Sequence, residues 1–306
     1  MYASTLEDTF KDSPISILGY ADDHAFHDSF KVENEKEVIT RIEQKLDEVK
    51  TWMSANRLKM NDGKTEIIFF GTKANLGKIE TTEVRIGNDL ITPSPFVKYL
   101  GAWLDSTLSM KKFISEKCKI AHMNIHNIRT IRKCIDEITC KTLMHSLVLS
   151  HLDYSNAILF GIPDCEIAKL YSIQKMAAKA ILKLGHYDSA TEALFKLHWL
   201  PIPYRIKHKL LCFVYRTLND AAPNFLKELL KVRDTPYNTR AEMNMELEVP
   251  FVKGPARKSF GVAGPDLWNS VPLDIRNASS YAVFKKTLKT YFFKDAFADQ
   301  IAAQDG

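Results

Sequence analysis

The sequence predicts an α+β fold in which short strands come first and a largely helical region follows. Residues 15–30 combine two short apolar runs with a turn rich in Asp, which is typical of a β-hairpin. Apolar side chains then recur every three or four positions, as on one face of an α-helix, over residues 33–56 and again over most of 109–184. With 306 residues, the chain has room for two or three compact units.

The composition is that of a soluble globular protein, with 45% apolar and 26% charged residues, and no apolar run reaches the length of a membrane span. The acidic, polar start of the chain does not match a secretion signal. The five cysteines are odd in number and form no CxxC pair, which favours a reducing compartment. These features predict an intracellular protein of the cytoplasm and/or nucleus that has no membrane partner.

Charge is distributed unevenly along the chain. Residues 1–100 hold 13 Lys and Arg against 17 Asp and Glu, whereas residues 101–306 hold 29 against 20. An acidic part followed by a basic part suits a polyanion held beside a cation site. The alternative is an ordinary solvated surface, because a net charge of +9 over some two hundred residues is mild.

The first hairpin carries the two adjacent carboxylates of Asp22 and Asp23. The apolar run before them predicts a buried strand, and Asp is common in the turn that follows. Two neighbouring carboxylates repel each other unless a cation neutralises them, and Mg²⁺ prefers one or two carboxylates plus substrate phosphates. The alternative is a solvated Asp-Asp turn without a ligand.

The tetrapeptide Tyr20-Ala21-Asp22-Asp23, preceded by apolar residues, resembles the metal-binding hairpin of reverse transcriptases. The order of the motifs downstream is similar to the non-LTR (LINE-like) retrotransposon branch. The resemblance implies a partial polymerase palm over residues 1–106, a helical thumb over 107–184 and a mostly helical, loop-rich C-terminal region over 185–306. It also implies that Asp22 and Asp23 are catalytic ligands of Mg²⁺ or Mn²⁺ and that Tyr20 contacts nucleic acid.

A second motif follows the predicted helix over 33–56. The pattern W-x5-L-x2-N-x2-K-T runs from Trp52 to Thr65 and precedes an apolar strand predicted over 67–71. It is similar to the fourth palm motif of LINE-type enzymes. The resemblance implies that Lys64 is catalytic and protonates or neutralises the leaving pyrophosphate. The alternative is a surface lysine beside a turn.

A third motif comprises Tyr99, Leu100 and Gly101, after a weaker hairpin predicted around residues 83–92. The run V-K-Y-L-G is similar to the palm-to-thumb hairpin that supports the primer end. The resemblance implies that these three residues contact nucleic acid, with Gly101 allowing a backbone to approach closely. Tyr99 could instead be an ordinary core aromatic residue.

The region after residue 109 predicts helices near 109–133, 138–151, 166–182, 194–200, 204–218 and 281–293, and an isolated strand near 247–251. By resemblance to a thumb, the first helix contacts the template-primer phosphates through Lys111, Lys112, Lys117 and Lys119. The alternative is a helical bundle with solvated lysines. Cys134, Cys140, His145 and His151 match no zinc motif and are predicted to be helical core positions.

In the family, two metal ions join a deoxynucleotide to a DNA primer on an RNA template. A further carboxylate and the nucleotide-binding fingers lie upstream of the Asp pair there, and only 14 residues precede Ile15 here. The sequence is therefore interpreted as a truncated RNA-directed DNA polymerase that is inactive alone. Two alternatives are a non-catalytic nucleic-acid-binding remnant and a decayed transposon fragment.

Overall fold

The computed structural model describes residues 6–11, 13–87, 89–233 and 245–305 of the chain. The chain divides into two compact units, one up to Ser109 and one from Met110 onward. Small antiparallel strand pairs lie in the first unit and helices dominate the second, so the α+β prediction is confirmed at this coarse level. The sequence boundary expected at 184/185 falls inside the second unit.

The first unit contains three separate β-hairpins and one long helix. The hairpins are β1 (Ser16–Tyr20) with β2 (Asp23–His27), β3 (Val84–Ile86) with β4 (Asp89–Ile91), and β5 (Phe96–Tyr99) with β6 (Ala102–Asp105). The helices are α1 (Glu35–Ala55) and α2 (Lys73–Leu76), with 3-10 turns at Glu7–Phe10, Val32–Asn34 and Asp62–Lys64. Within the described ranges, no hairpin is extended into a larger sheet.

The core of the first unit forms where α1 contacts the segment that precedes β1. Leu6, Phe10, Ile15 and Val49 are buried together, and the rings of Phe10 and Phe26 are stacked with centroids 5.3 Å apart. This packing joins the first hairpin to α1, as the helical periodicity over residues 33–56 predicts.

Two strand expectations for the first unit are wrong. Residues 67–71 form no strand, because their backbone makes only scattered bonds, such as Ser94 N to Ile67 O (2.7 Å) and Gly71 N to Ser106 O (2.9 Å). The β1 strand is not buried: Leu18 is 49% exposed. A two-stranded hairpin leaves both of its faces open to solvent unless another element packs against one of them.

The second unit is helical. Its elements are α3 (Lys111–Ile131), α4 (Glu137–Met144), a π-helical stretch (His145–Leu149), α5 (Ser150–Asp153), a 3-10 turn (Asn156–Leu159), α6 (Asp164–Ile181), α7 (Ala190–Lys196), α8 (Ile202–Leu218), α9 (Asn224–Lys227), a 3-10 turn (Gly254–Lys258), α10 (Phe260–Asn269), α11 (Leu273–Arg276), α12 (Tyr281–Ala296) and α13 (Ala298–Asp305). The strand expected near 247–251 is reduced to a single bridge between Val232 and Leu247.

The core of the second unit is centred on α8. This helix packs against α6, α10 and α12, and its Tyr215 ring stacks on Phe284 of α12 with centroids 4.3 Å apart. Phe284 and Trp268 are almost fully buried in the same cluster. No helix in the described ranges is both long and apolar enough to cross a lipid bilayer.

Candidate functional site

The tip of the first hairpin is a two-residue turn under backbone strain. Tyr20 lies opposite Asp23 in the strand register, so Ala21 and Asp22 form the turn itself. Ala21 has a φ of 56°, in the left-handed region where a Cβ atom is unfavourable. A tight hairpin of this kind usually places glycine at its first turn position. Leu100 adopts the same left-handed conformation in the turn of another hairpin, so the turn geometry itself accounts for it.

The turn presents both carboxylates to solvent. Asp22 and Asp23 are exposed, and Tyr20 is 65% exposed. Nδ1 of His24 lies 3.2 Å from the backbone oxygen of Asp22. Neither carboxylate forms an ion pair with another residue that the structure describes. Two adjacent hard-oxygen donors fit part of a Mg²⁺ or Mn²⁺ shell, with water or phosphate oxygens filling the other positions.

No third acidic, His or Cys side chain from the described part of the chain joins this pair. Across the described parts of the chain, no group of three or more such residues is placed to hold one metal ion. A cation at the hairpin tip would therefore have at most two carboxylate ligands among the described residues, which gives a weak site rather than a closed cage.

Lys64 lies at the end of the 3-10 turn Asp62–Lys64 and is exposed to solvent. Its backbone N–H donates to the carbonyl of Asn61 at 3.0 Å. Its ammonium forms no ion pair or hydrogen bond with another described residue, so no direct contact joins Lys64 to Asp22 or Asp23. An unpaired ammonium at an exposed turn remains available to an anion.

The third motif forms the turn between β5 and β6, as the sequence predicts. Tyr99 lies opposite Ala102, and both turn residues, Leu100 (φ 44°) and Gly101 (φ 77°), are left-handed. This conformation is the standard one for a tight hairpin and explains the glycine by itself. Tyr99 is half-buried, whereas Leu100 and Gly101 are exposed.

The structure corrects one of the four predicted phosphate contacts on α3. Lys117 is only 6% exposed, because it shares the buried face of the helix with Phe113, Ile114 and Ala121. Its ammonium donates to the carbonyl of Tyr154 at 2.7 Å and to that of His151. Burial lowers the pKa of Lys117 to about 8, against the opposing effect of Asp153. Lys117 is therefore a structural cation.

The other three predicted phosphate contacts on α3 are accessible. Lys111 and Lys119 are exposed, and the partly exposed Lys112 lies 3.5 Å from Glu116 one turn further along. An exposed i,i+4 pair of this kind is weak and yields readily to a stronger anion. These three side chains remain candidates for contact with phosphates.

The four Cys and His residues considered for zinc do not form a site, since no three of them are placed to share a metal ion. Cys140 is buried in α4, where burial raises the pKa of its thiol, in agreement with a core position. Cys134, His145 and His151 are exposed, so the expectation of core positions is wrong for them.

One group of cations was not predicted from the sequence. These basic side chains lie far apart along the chain, on helices of the second unit. Some of them lower the pKa values of others in the group, whose members are Lys141, His145, Arg205, His208, Lys285 and Lys289. The helical spacing of Lys141 and His145, and of Lys285 and Lys289, was visible in the sequence, but their convergence was not.

In comparisons of this chain with protein families, curated proteins and solved structures, no match was found.

Proposed function

We propose that this chain is part of an RNA-directed DNA polymerase of the non-LTR retrotransposon type, in which Asp22 and Asp23 are metal ligands. The single observation that carries the proposal is the tight hairpin turn at Ala21 and Asp22, which leaves the neighbouring carboxylates of Asp22 and Asp23 exposed to solvent. The order of the three motifs, Tyr20–Asp23, Asn61–Thr65 and Tyr99–Gly101, supports it further.

The roles proposed for the residues are those that the resemblance implies. Asp22 and Asp23 bind the cation through carboxylate oxygens, and Tyr20 lies beside them on the paired strand. Asp22 and Asp23 would hold a Mg²⁺ ion there, and such an ion, when bound, would supply positive charge beside the phosphates and favour ionisation of the primer hydroxyl. Lys64 neutralises the pyrophosphate that leaves. The hairpin turn at Tyr99, Leu100 and Gly101 contacts the primer, and the accessible lysines of α3 contact template-primer phosphates.

Catalysis by two metal ions needs a carboxylate from another strand in addition to this pair. Because the described residues place no further ligand beside Asp22 and Asp23, we expect the chain alone to bind the cation weakly and not to extend a primer. The same observation favours a second function, which is nucleic-acid binding without catalysis.

We expect Mn²⁺ to bind at the hairpin tip with a dissociation constant on the order of 1 mM and to broaden the NMR signals of residues around Asp22. The double variant Asp22→Asn, Asp23→Asn removes both anionic donors and should abolish this selective broadening. Asp89→Asn, at the start of an exposed strand in another hairpin, is the matched control and should change nothing. Equal broadening in the wild type and the double variant would refute metal binding by the pair.

Primer extension on an RNA template, with Mg²⁺ or Mn²⁺, separates the two functions. The wild-type chain is expected to bind template-primer and give no extension by itself. Extension that Asp23→Ala abolishes would show that the chain holds a complete active site, and the prediction of inactivity would be wrong. Absence of both metal and nucleic-acid binding would contradict both functions.

The contribution of α3 is tested by the triple variant Lys111→Ala, Lys112→Ala, Lys119→Ala. We expect weaker duplex binding, with the slope of log K against log salt flattened by roughly 2 to 3, because each lost phosphate contact contributes about 0.9. Fluorescence anisotropy between 50 and 200 mM salt measures this slope. The control variant Lys59→Ala, Lys73→Ala, Lys78→Ala removes the same charge from exposed positions of the first unit. Equal slopes for both variants would argue against α3 as the contact.

A further inference from the structure

Six cationic or titratable side chains from distant parts of the sequence form one surface of the second unit. We call it the three-helix cation surface. Lys141 comes from α4 and His145 from the π-helical stretch that follows it, Arg205 and His208 from α8, and Lys285 and Lys289 from α12. The helix α8 packs along α12, and Nε2 of His208 lies 3.2 Å from the carbonyl oxygen of Lys285.

The charges of these residues act on one another. Burial, followed by Arg205, Lys141 and Lys285, lowers the pKa of Lys289. Burial, followed by Arg205, Lys141 and Lys289, also lowers the pKa of His145, with only Asp153 opposing.

The contacts between elements place these helices together. Arg205 of α8 pairs with Asp153 of α5, and His208 of α8 lies beside the Lys285 carbonyl of α12. The ring of His145 contacts that of Trp199 at 5.2 Å, and the adjacent His198 stacks on Phe293 of α12 at 5.3 Å.

Within the described residues, Arg205 alone of this group has a carboxylate partner. Arg205 forms a bidentate ion pair with Asp153. Its Nε donates to Oδ1 at 2.8 Å, and a terminal guanidinium nitrogen donates to Oδ2. Lys141, Lys285 and Lys289 form no ion pair with any residue that the structure describes. Positive side chains that gather without a counter-charge favour the binding of an external anion.

The geometry suits an extended anion. Lys285, Lys289 and His145 are exposed and the other three side chains are half-buried, so the group is open to solvent. Lys285 and Lys289 are one helical turn apart, about 6 Å along the axis, which lets neighbouring ammonium groups reach successive phosphates of a strand. His145 opens a π-helical stretch, a distortion that is frequent at functional sites.

We propose that the three-helix cation surface binds the phosphate backbone of nucleic acid, through Lys141, Lys285 and Lys289. This proposal rests on the proposed function only for the class of ligand, which is nucleic acid. Its residues differ from those of the hairpin tip and of α3. Arg205, held by Asp153, orients the surface, and the two histidines add positive charge when they are protonated.

The triple variant Lys141→Gln, Lys285→Gln, Lys289→Gln tests the surface. We expect affinity for a fluorescein-labelled 20-base-pair DNA duplex to fall at least about 10-fold at 100 mM salt, with the salt slope flattened by roughly 2 to 3. We also expect Tm to stay the same or rise, because repulsion is removed. The control is Lys183→Gln, Lys286→Gln, Lys294→Gln, which removes three exposed lysines of the same unit. Unchanged affinity in the first variant, or equal losses in both, would overturn the proposal.

Competition identifies the class of ligand. An unlabelled duplex and an RNA–DNA hybrid should displace the labelled duplex, whereas poly-glutamate of equal charge and inorganic phosphate should displace it far less. Equal displacement by poly-glutamate or by millimolar phosphate would overturn nucleic acid as the ligand. The double variant Asp22→Asn, Asp23→Asn should bind the duplex as tightly as the wild type does. Failure of the proposed metal site and failure of this surface can therefore be told apart.

The histidines provide a second readout. Burial, followed by Arg205, Lys141 and Lys289, lowers the pKa of His145 against the opposing effect of Asp153. Burial, followed by Lys285, Arg205 and Lys289, lowers the pKa of His208 against its bond to the Lys285 carbonyl, and its Nδ1 lies 3.8 Å from the Cys212 thiol. A bound polyanion reverses that repulsion and raises both pKa values, so duplex binding should take up protons and strengthen from pH 7.5 to pH 5.5. The double variant His145→Gln, His208→Gln should reduce this pH dependence, and an unchanged pH profile would count against the surface.

Discussion

Replacement of Gln174 by leucine is expected to lower the free energy of unfolding of the second unit by about 2 to 5 kcal/mol. Gln174 is fully buried on α6. Its Nε2 donates to the carbonyl of Leu200 at 2.8 Å, and its Oε1 accepts from the backbone N–H of Ile202 at 3.0 Å. Leucine has a similar size but leaves both buried backbone groups without a partner, and each costs about 1 to 3 kcal/mol.

This glutamine links α6 to the start of α8, across the boundary at 184/185 that the sequence suggested. If residues 110–305 fold as one unit, Gln174→Leu should shift a single urea transition, followed by circular dichroism and by tryptophan fluorescence together. Ser172→Ala, at an exposed position of the same helix, is the control and should change stability by less than about 0.5 kcal/mol. Two separate transitions, of which only one moves, would indicate independent thumb and C-terminal domains.

Replacement of Lys117 by methionine is expected to lower the free energy of unfolding at pH 7 by about 1 to 3 kcal/mol, because the carbonyls of His151 and Tyr154 lose their donor. The variant should also change how stability depends on pH. Burial holds the pKa of Lys117 at about 8 in the folded state, whereas a free lysine has a pKa of about 10.4.

The sign of this dependence follows from proton binding. Between pH 8 and about 10.4 the unfolded chain binds more protons at Lys117 than the folded chain does. The contribution of Lys117 to stability therefore rises with pH across this interval, by on the order of 2 kcal/mol after allowance for solvent screening.

Urea unfolding at pH 7, 8, 9 and 10 measures the effect. The rise with pH should be absent in Lys117→Met and present in Lys119→Met, which changes an exposed lysine of the same helix. Because Lys117 does not reach solvent, its variant should also leave the salt slope of duplex binding unchanged. A flattened salt slope in Lys117→Met would restore the original assignment of this residue as a phosphate contact.

Local patterns in the sequence predicted most of the regular elements. The helices α1, α3, α6, α8 and α12 lie within a few residues of their expected bounds, because apolar residues at helical spacing must share one buried face. The hairpins around Asp22 and Gly87 were predicted from turn residues whose conformational preferences act over two to four positions, whereas the hairpin at Gly101 was expected from the resemblance of its motif.

Pairing between distant segments was predicted less well. The apolar run over residues 67–71 has the composition of a strand, but a strand also needs a continuous hydrogen-bonding partner, which the described chain does not provide there. Glu35 looks like a solvated residue at the start of α1, yet it is buried and accepts bonds from the backbone N–H groups of Glu80 (3.1 Å) and Thr81 (2.6 Å). Burial raises the pKa of Glu35, and these bonds outweigh that effect and lower it.

By itself, the sequence determined the helical periods, the three hairpin turns and the presence of two adjacent carboxylates at one of them, because these features depend on neighbouring residues. Only the tertiary structure decided which cations are available to a ligand: it buries Lys117 and brings Lys141, Lys285 and Lys289 together. The physical reason is that exposure and electrostatic interaction depend on distances between elements that lie far apart along the chain, and packing sets those distances.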